Sequence, residues 1–574
     1  KQLERINKEV QDVEFTVERG KLYFLQTRAG KMTPLARVKT AVDMALEGII
    51  TREDALLKVF PEHVLQLLYP TIDPNVDAKP VAKGLAASPG AVSGRVVFHP
   101  DTAVEWADKG EEVILVRIET KPDDVHGFYA SKGVLTSRGG LTSHAAVVAR
   151  GIGKPAVVGA EMIKIDYEKK VFKVDGHIVK EGDWITIDGS TGYVYIGKIP
   201  TKMPELIKEL DTLMKWADDV RKLGVRANAD LPEDARIAKK FGAEGIGLLR
   251  IERMFRKPER LEKLRKVILS ESREERLEAM EELAEMIKQD FKEVLEIMDG
   301  YPVIIRLIDP PLHEFLPRPD EILKEIYELK MSNASEELIR EKEALYKRIL
   351  VLTEANPMMG HRGVRVGVTY PEIYIGLTKA MLEATAELIK EGKNPILEIM
   401  VPQVSMAEEL RYVKENAIYP TAREVEKKYG FKIPFKVGTM IETVRAALTA
   451  DEIAKEAEFF SFGTNDLTQA TFSFSRDDAE NKFLPDYLTL GLLEDNPFQT
   501  LDIKGVGELI KICVEKARKA NPVIEIGICG EHGGDPRSIH FLHKVGLDYV
   551  SASPYRVLIA RLAAAHAAIK EKLQ

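Results

Sequence analysis

Apolar positions recur along the chain in two rhythms, and the rhythm changes near Gly224. In the first part, Val13-Glu14-Phe15-Thr16-Val17 and Lys21-Leu22-Tyr23-Phe24-Leu25 are β-like runs joined through Arg19-Gly20, which predicts a hairpin. An isolated hairpin is only marginally stable in water, so this one is expected to belong to something larger. From Pro34 to about Tyr69 the spacing turns helical (Val38, Val42, Ala45, Leu46, then Ala55, Leu56, Val59), with Thr51 and Asp54 as a capping box. Residues 70–82 are rich in Pro and Asp and read as a linker. Between Gly84 and Gly197 short apolar strands alternate with glycine turns, and one helix, about 143–151, interrupts them. A polar helical segment over about 201–223 follows.

From Gly224 onwards short apolar runs are separated by long helical stretches, the alternation of parallel βα units. The candidate strands are Val225–Ala229, Gly245–Leu249, Val303–Ile308, Val364–Val368, Leu397–Val401, Phe435–Met440, Phe459–Phe462, Glu525–Ile528 and Tyr549–Ser551. That is one more than a (β/α)8 barrel needs, and periodicity does not say which lies outside. The charged stretch 258–298 is expected to be an insertion or extended helix, in its plainest reading a solvated helical face.

In such barrels the loops after the strands converge on one mouth, where functional groups collect. Those positions carry Arg250 and Glu252, Arg306 and Asp309, Arg362 and Arg365, Glu442, Asn465 and Asp466, then Cys529 and Glu531. Glu442 and Asp466 are hard oxygen ligands suited to Mg²⁺. Arg250 and Arg306 offer planar forks that match carboxylate and phosphate. Together they predict a site for a small phosphorylated acid. Cys529, between Ile528 and Gly530, is placed to give or take a proton, whereas Cys513 lies in a helical run and reads as a small core residue.

In the middle domain His144 follows a strand end, the pair Gly139-Gly140 and the hydroxyls Thr142 and Ser143, and opens an apolar helix. Thr142 or Ser143 is the expected N-cap, which puts the imidazole in the first turn. The helix dipole there favours a neutral, nucleophilic imidazole and a bound anion, and the glycines let backbone N–H groups approach phosphate. Phosphoryl acceptance is the favoured chemistry, with a metal-binding or capping role as the alternative.

Composition limits these readings. The chain has 574 residues, with 83 Lys+Arg against 91 Asp+Glu and a net charge of −8, so no chain-wide positive field exists for nucleic acid or an anionic membrane. Its two cysteines fit a reducing compartment, and with no apolar run of ~18 residues a cytoplasmic protein without a membrane span is expected. Charged residues at 30% hint at a thermophilic source. Residue 1 is Lys, so a processed or cut piece of a longer polypeptide is expected.

Eight motifs in order carry a resemblance: Gly139–Arg150, Gly247–Arg250, Arg306–Pro317, Gly360–Gly363, Gly438–Glu442, Ser461–Gln469, Gly527–Gly534 and Ser553–Arg556. Through them the chain resembles the pyruvate, phosphate dikinases, within the wider family that uses phosphoenolpyruvate (PEP) through a phosphohistidine. The resemblance implies an α/β multidomain fold, a swivelling phosphohistidine domain followed by a (β/α)8 TIM barrel. It divides the chain into 1–33 (the end of an ATP-grasp nucleotide domain), 34–82 (helical linker), 83–199 (swivelling domain), 200–223 (linker helix) and 224–574 (barrel). It makes His144 the phosphocarrier and Cys529 the proton donor to the enolate. Arg250, Arg306 and Asn465 are implied to contact substrate, Gly463 and Thr464 to line the site through backbone, and Glu442 and Asp466 to hold Mg²⁺. The implied partners are PEP or pyruvate and a second subunit in a homodimer. ATP and phosphate chemistry is implied only through an absent N-terminal domain. Ile251, Arg253 and Thr443-Val444 depart from the family pattern beside the site and bear on rate, not reaction class. PEP synthase and the phosphotransferase-system Enzyme I are the neighbouring readings. Against both stands Asp309–Pro317, and against Enzyme I also the lack of a helical partner-binding insertion before His144. A non-catalytic assembly protein would be expected to lose the polar groups at the mouth.

Overall fold

Two elements near the start of the chain follow from turn and cap chemistry. Gln11–Glu18 and Lys21–Ala29 pair antiparallel around Arg19 and Gly20, which both take positive φ (49° and 76°), the twist that suits a tight hairpin turn. Phe15, Val17, Phe24 and Leu25 on it are exposed. The expected capping box forms at the helix Arg52–Lys58: Asp54 N–H donates to Thr51 Oγ1 at 3.0 Å, and Thr51 N–H to Asp54 at 3.1 Å. The computed structural model describes residues 2–73, 75–120, 124–140, 143–202 and 207–573, in two compact units, 1–219 with 477–496 and 220–476 with 497–574. Among the described residues no helix is long and apolar enough to cross a membrane.

The first unit holds an eight-stranded sheet. Its middle strands, Ala91–Val97, Val113–Arg117, Gly133–Thr136 and Ala156–Val158, run parallel. Side chains alternate across it. Ile114, Val116, Leu135 and Val157 pack towards Phe172 and Val179 of a small three-stranded sheet, while Val113, Leu115 and Val134 pack against Phe128 and the alanines of the helix His144–Ile152. Ala145, Ala146 and Ala149 are fully or almost fully buried, so this helix lies close on the sheet and its first residue is held at the sheet's edge. The polar helix expected over 201–223 is shorter: Thr201–Lys202 is a strand paired with Thr71–Ile72, and the helix covers Lys208–Val220.

The second unit is a closed barrel of eight parallel strands: β1 (Gly224–Asn228), β2 (Ile246–Arg250), β3 (Pro302–Arg306), β4 (Ile396–Val401), β5 (Phe435–Ile441), β6 (Phe459–Phe462), β7 (Glu525–Ile528) and β8 (Tyr549–Ala552). The ninth candidate, Val364–Val368, is not a strand but the helix Val364–Thr369. The reason is a lack of backbone partners: β3 pairs directly with β4, Ile304 opposite Glu398, and no open edge is left to receive it. The charged stretch resolves into helices Pro258–Leu269 and Arg273–Ile297. The second is no solvated face, because Met280, Leu283, Ile287, Phe291 and Val294 form a buried stripe at helical spacing. Inside the barrel Leu248, Ile304, Met400, Met440, Phe459, Cys529 and Tyr549 form one packed cluster. Beneath it Arg226 pairs with Glu398 (3.3 Å) and Glu525 and lies 3.9 Å from the Tyr549 ring centre.

Candidate functional site

His144 opens its helix and is half-buried. The approach to it needs glycine at 139: φ there is +106°, and a Cβ would sit 2.9 Å from Ser143 Cβ and Oγ. Nδ1 lies 3.0 Å from Thr120 Oγ1, and the ring meets Phe128 edge-on at 6.1 Å. Burial pushes the imidazole pKa down, with the Asp124 carboxylate pulling the other way. The ring is therefore neutral at pH 7. Nε2 is buried and has no hydrogen-bond partner among the described residues. Of the two expected N-caps, Thr142 lies outside the described residues. Ser143 does not cap: its Oγ also lacks a partner among the described residues.

At the barrel mouth the strand-end residues are brought together. Arg250, the last residue of β2, grips Asp230 through Nε and Nη2 (2.9–3.2 Å) and also through its backbone N–H, and Arg253 reaches the same carboxylate at 2.9 Å. Arg306, the last residue of β3, is buried and lies 3.1 Å from Asp309 and 3.4 Å from Glu252. Burial opposes its charge, but Asp309, Glu252 and Glu442 outweigh that and raise its pKa. Arg362 bridges Asp309 (2.6 Å) and Asp466 (3.2 Å). Arg365 instead turns back to the Gly360 carbonyl, 2.6 Å away.

Glu442 follows β5 and is almost fully buried; its Oε1 accepts from the Gln403 N–H at 2.7 Å. Burial, then the carboxylates of Asp309 and Asp466, push its pKa well above the usual carboxylate range, against the pull of Arg362 and Arg306. Asp466 sits in the first turn of the helix Thr464–Phe472, where it accepts from Gln403 (3.3 Å) and Gln469 (3.1 Å). Gly463 precedes that helix, and a Cβ there would come within 2.6 Å of Met440 Sδ and 2.9 Å of Glu442 Oε2. Thr464 Oγ1 contacts His532 Nδ1 at 2.7 Å, and His532 Nε2 contacts the Pro497 carbonyl at 2.9 Å. Cys529 follows β7, with its thiol 3.7 Å from the Phe462 carbonyl and its own carbonyl held by Asn228 at 2.9 Å. Burial raises the thiol to about 11, with Ser461, Arg306 and Arg250 opposing and Glu442 adding to the rise.

All nine expected barrel and carrier residues are thus placed: His144 in the first unit, and Arg250, Arg306, Glu442, Gly463, Thr464, Asn465, Asp466 and Cys529 around the mouth of the second. Asp230, Gln403, Gln469 and His532 had not been singled out. Asp230 and Gln403 each lie two residues past a barrel strand, so the strand-end rule that found the others could have found them. Several buried polar atoms here have no hydrogen-bond partner among the described residues: Arg306 Nε, Glu252 Oε2, Asp309 Oδ1, Ser461 Oγ and Asn465 Oδ1. Orphaned groups in such number are costly and mark a place built for a ligand.

Comparison with known proteins gives the chain its relatives. The profile for the PEP-utilising enzyme, PEP-binding domain, matches residues 204–569, and that for the PEP-utilising enzyme, mobile domain, matches 109–192. Similar curated proteins include pyruvate, phosphate dikinase of Entamoeba histolytica, 55% identical over 99% of this chain and 64% of its own length. Another is that of Rhizobium meliloti, 50% identical over 99% of this chain and 62% of its own. A third is pyruvate, phosphate dikinase 1, chloroplastic, of Arabidopsis thaliana, 50% identical over 99% of this chain and 58% of its own. The chain therefore spans 58–64% of the length of these relatives. With the PEP-binding profile covering most of it and the closed barrel beneath that profile, the chain belongs to the PEP-utilising enzymes.

Proposed function

We propose that this chain performs reversible phosphoryl transfer between His144 and pyruvate, giving PEP, the pyruvate half of a pyruvate, phosphate dikinase. In the whole reaction of such an enzyme ATP, phosphate and pyruvate become AMP, diphosphate and PEP. None of the residues described above is assigned to the ATP and phosphate steps. The observation that carries the reading is the barrel mouth, where Arg250, Arg306 and Arg362 meet the carboxylates of Asp230, Glu252, Asp309, Glu442 and Asp466 and the Cys529 thiol around orphaned polar atoms.

Arg250 and Arg306 bind the substrate's carboxylate and phosphate through their forks. The side chain of Asn465 and the backbone at Gly463 and Thr464 contact it from the helix N-terminus. The donor set fits Mg²⁺: burial and the nearby carboxylates of Asp309 and Asp466 raise the cost of ionising Glu442, and a cation there relieves it. Among the described residues no group of three or more His, Cys, Asp or Glu is arranged to hold a metal. Two carboxylates, Glu442 and Asp466, are what Mg²⁺ uses when substrate oxygens complete its shell. Held by these two residues, Mg²⁺ would supply the positive charge that stabilises an enolate.

In the direction of PEP consumption the Nε2 lone pair of His144 attacks phosphorus, the bridging P–O bond breaks, and the electron pair leaves with the enolate of pyruvate. With Nδ1 engaged by Thr120 Oγ1, Nε2 is the nitrogen that has no hydrogen-bond partner among the described residues. Cys529 then gives its proton to the enolate carbon, making the methyl group. A thiol raised to about 11 is protonated at pH 7 and ready for that step. In reverse the thiolate takes the methyl proton and the enolate oxygen takes the phosphoryl group from His144.

The domain division at 83–199 and 224–574 and the homodimer belong to the same proposal. So does the cytoplasmic setting, supported by two free cysteines, Cys513 and Cys529. Ion-pair networks such as Lys288, Lys292, Glu387 and Glu391 support a thermophilic source. Phosphorus-labelled PEP with Mg²⁺ should leave acid-labile label on His144; no label, or label that persists in His144→Ala, overturns the assignment.

A further inference from the structure

Gln403 stands out at the mouth by its backbone. It is one of seven described non-glycine residues with positive φ (59°), and it is buried at 4% exposure. Left-handed backbone in a side-chain-bearing residue persists where the surroundings over-determine it. What holds it is visible. Its N–H donates to Glu442 Oε1 at 2.7 Å, and its side-chain amide donates to Asp466 Oδ2 at 3.3 Å. One residue thus ties together the two carboxylates, which follow different strands, β5 and β6. The neighbouring turn makes room for it: a Cβ on Gly363, itself at φ +59°, would come within 2.6 Å of Gln403 Cβ.

We infer that Gln403 is a positioning residue for the metal site, orienting Glu442 and Asp466 towards a common divalent cation. The inference rests on the reading that these two carboxylates hold Mg²⁺. An amide suits the task better than a second cation would. Arg362 already supplies positive charge to Asp466 Oδ2 at 3.2 Å, and another charge would cancel the field that attracts the metal. A neutral N–H takes one lone pair of Asp466 Oδ2 without adding charge, and with Gln469 the only described donor on Oδ1, that oxygen keeps a lone pair for a cation. Losing a hydrogen bond of this outer kind typically costs about ten- to a hundredfold in metal affinity.

The test uses the full chain and Mn²⁺ alone, followed by the electron paramagnetic resonance of free and bound ion, without substrate. Gln403→Leu keeps the volume and loses the amide. Gln403→Gly also loses the amide but relaxes the left-handed backbone and keeps the N–H on Glu442. Both should bind Mn²⁺ about ten- to a hundredfold more weakly than the parent, with a broadened bound-ion spectrum. Binding by both within about twofold of the parent overturns the role. Weakening in only one assigns the effect to packing or backbone and overturns it too. If Glu442→Gln and Asp466→Asn leave Mn²⁺ binding unchanged, the metal reading itself falls, and Gln403 with it.

Discussion

Gly530→Ala should damage the barrel while sparing the carrier unit. A methyl group at 530 would sit 1.9 Å from Thr464 Oγ1 and 2.9 Å from the Thr464 backbone nitrogen, well inside contact distance. Thr464 Oγ1 cannot simply rotate away, because it contacts His532 Nδ1, and His532 is fully buried with its other nitrogen on the Pro497 carbonyl. Overpacking costs about 1–3 kcal/mol. Breaking the Thr464–His532 bond leaves a buried polar group unpaired, for about 1–3 kcal/mol more. A loss of about 2–6 kcal/mol is therefore expected. The chain offers two probes for locating it. Its three tryptophans, Trp106, Trp184 and Trp216, all lie in the first unit, so their fluorescence in urea reports that unit, whereas far-UV circular dichroism is dominated by the barrel helices. Gly530→Ala should lower the dichroism midpoint and leave the fluorescence midpoint in place. In a Thr464→Ala background, where the clashing oxygen is gone, the same substitution should cost at least about 1 kcal/mol less. Equal shifts in both probes, or full additivity of the two substitutions, would refute the packing argument.

Two further predictions concern titration. Burial lowers the His144 pKa below its ordinary 6.5, so the neutral nucleophile persists to more acid pH than a free imidazole, and labelling from PEP should fall off only below pH 6.5. A half-point at or above that pH contradicts the burial argument. Cys529, raised to about 11, should be alkylated by iodoacetamide with a rate still climbing between pH 9 and 11, and Cys529→Ala should abolish solvent exchange of the pyruvate methyl protons. A rate that levels off near pH 8, or undiminished exchange, removes Cys529 from the proton-transfer step.

Local pattern made the barrel legible where burial on both faces leaves a continuous apolar run, as in Val303–Ile305 or Ile399–Val401. The same logic failed at Val364–Val368, whose β-branched residues read as a strand. Only the long-range fact that β3 and β4 already pair excludes it. Charge misled in the helix Arg273–Ile297, since Arg276 is buried there against Glu372 at 3.5 Å instead of facing water. At the site, position after a strand was readable without any structure, which is why Arg250, Arg306, Glu442, Asp466 and Cys529 were found together. Gln469 and His532 escaped because they act one turn further along, where direction depends on the packing of the following helix or turn.

Arg226, clasped by Glu398 and Glu525 under the Tyr549 ring, closes the far end of the barrel with charge and aromatic carbon. Above it the packed cluster that includes Ile304, Met400 and Phe459 fills the interior, so the barrel is open at its mouth and not a tube. Any small molecule held at the mouth leaves by the opening through which it came, so substrate and product cannot queue behind one another. Two ligands that use this mouth must then exclude each other at one seat, and traffic through it is one molecule at a time by construction.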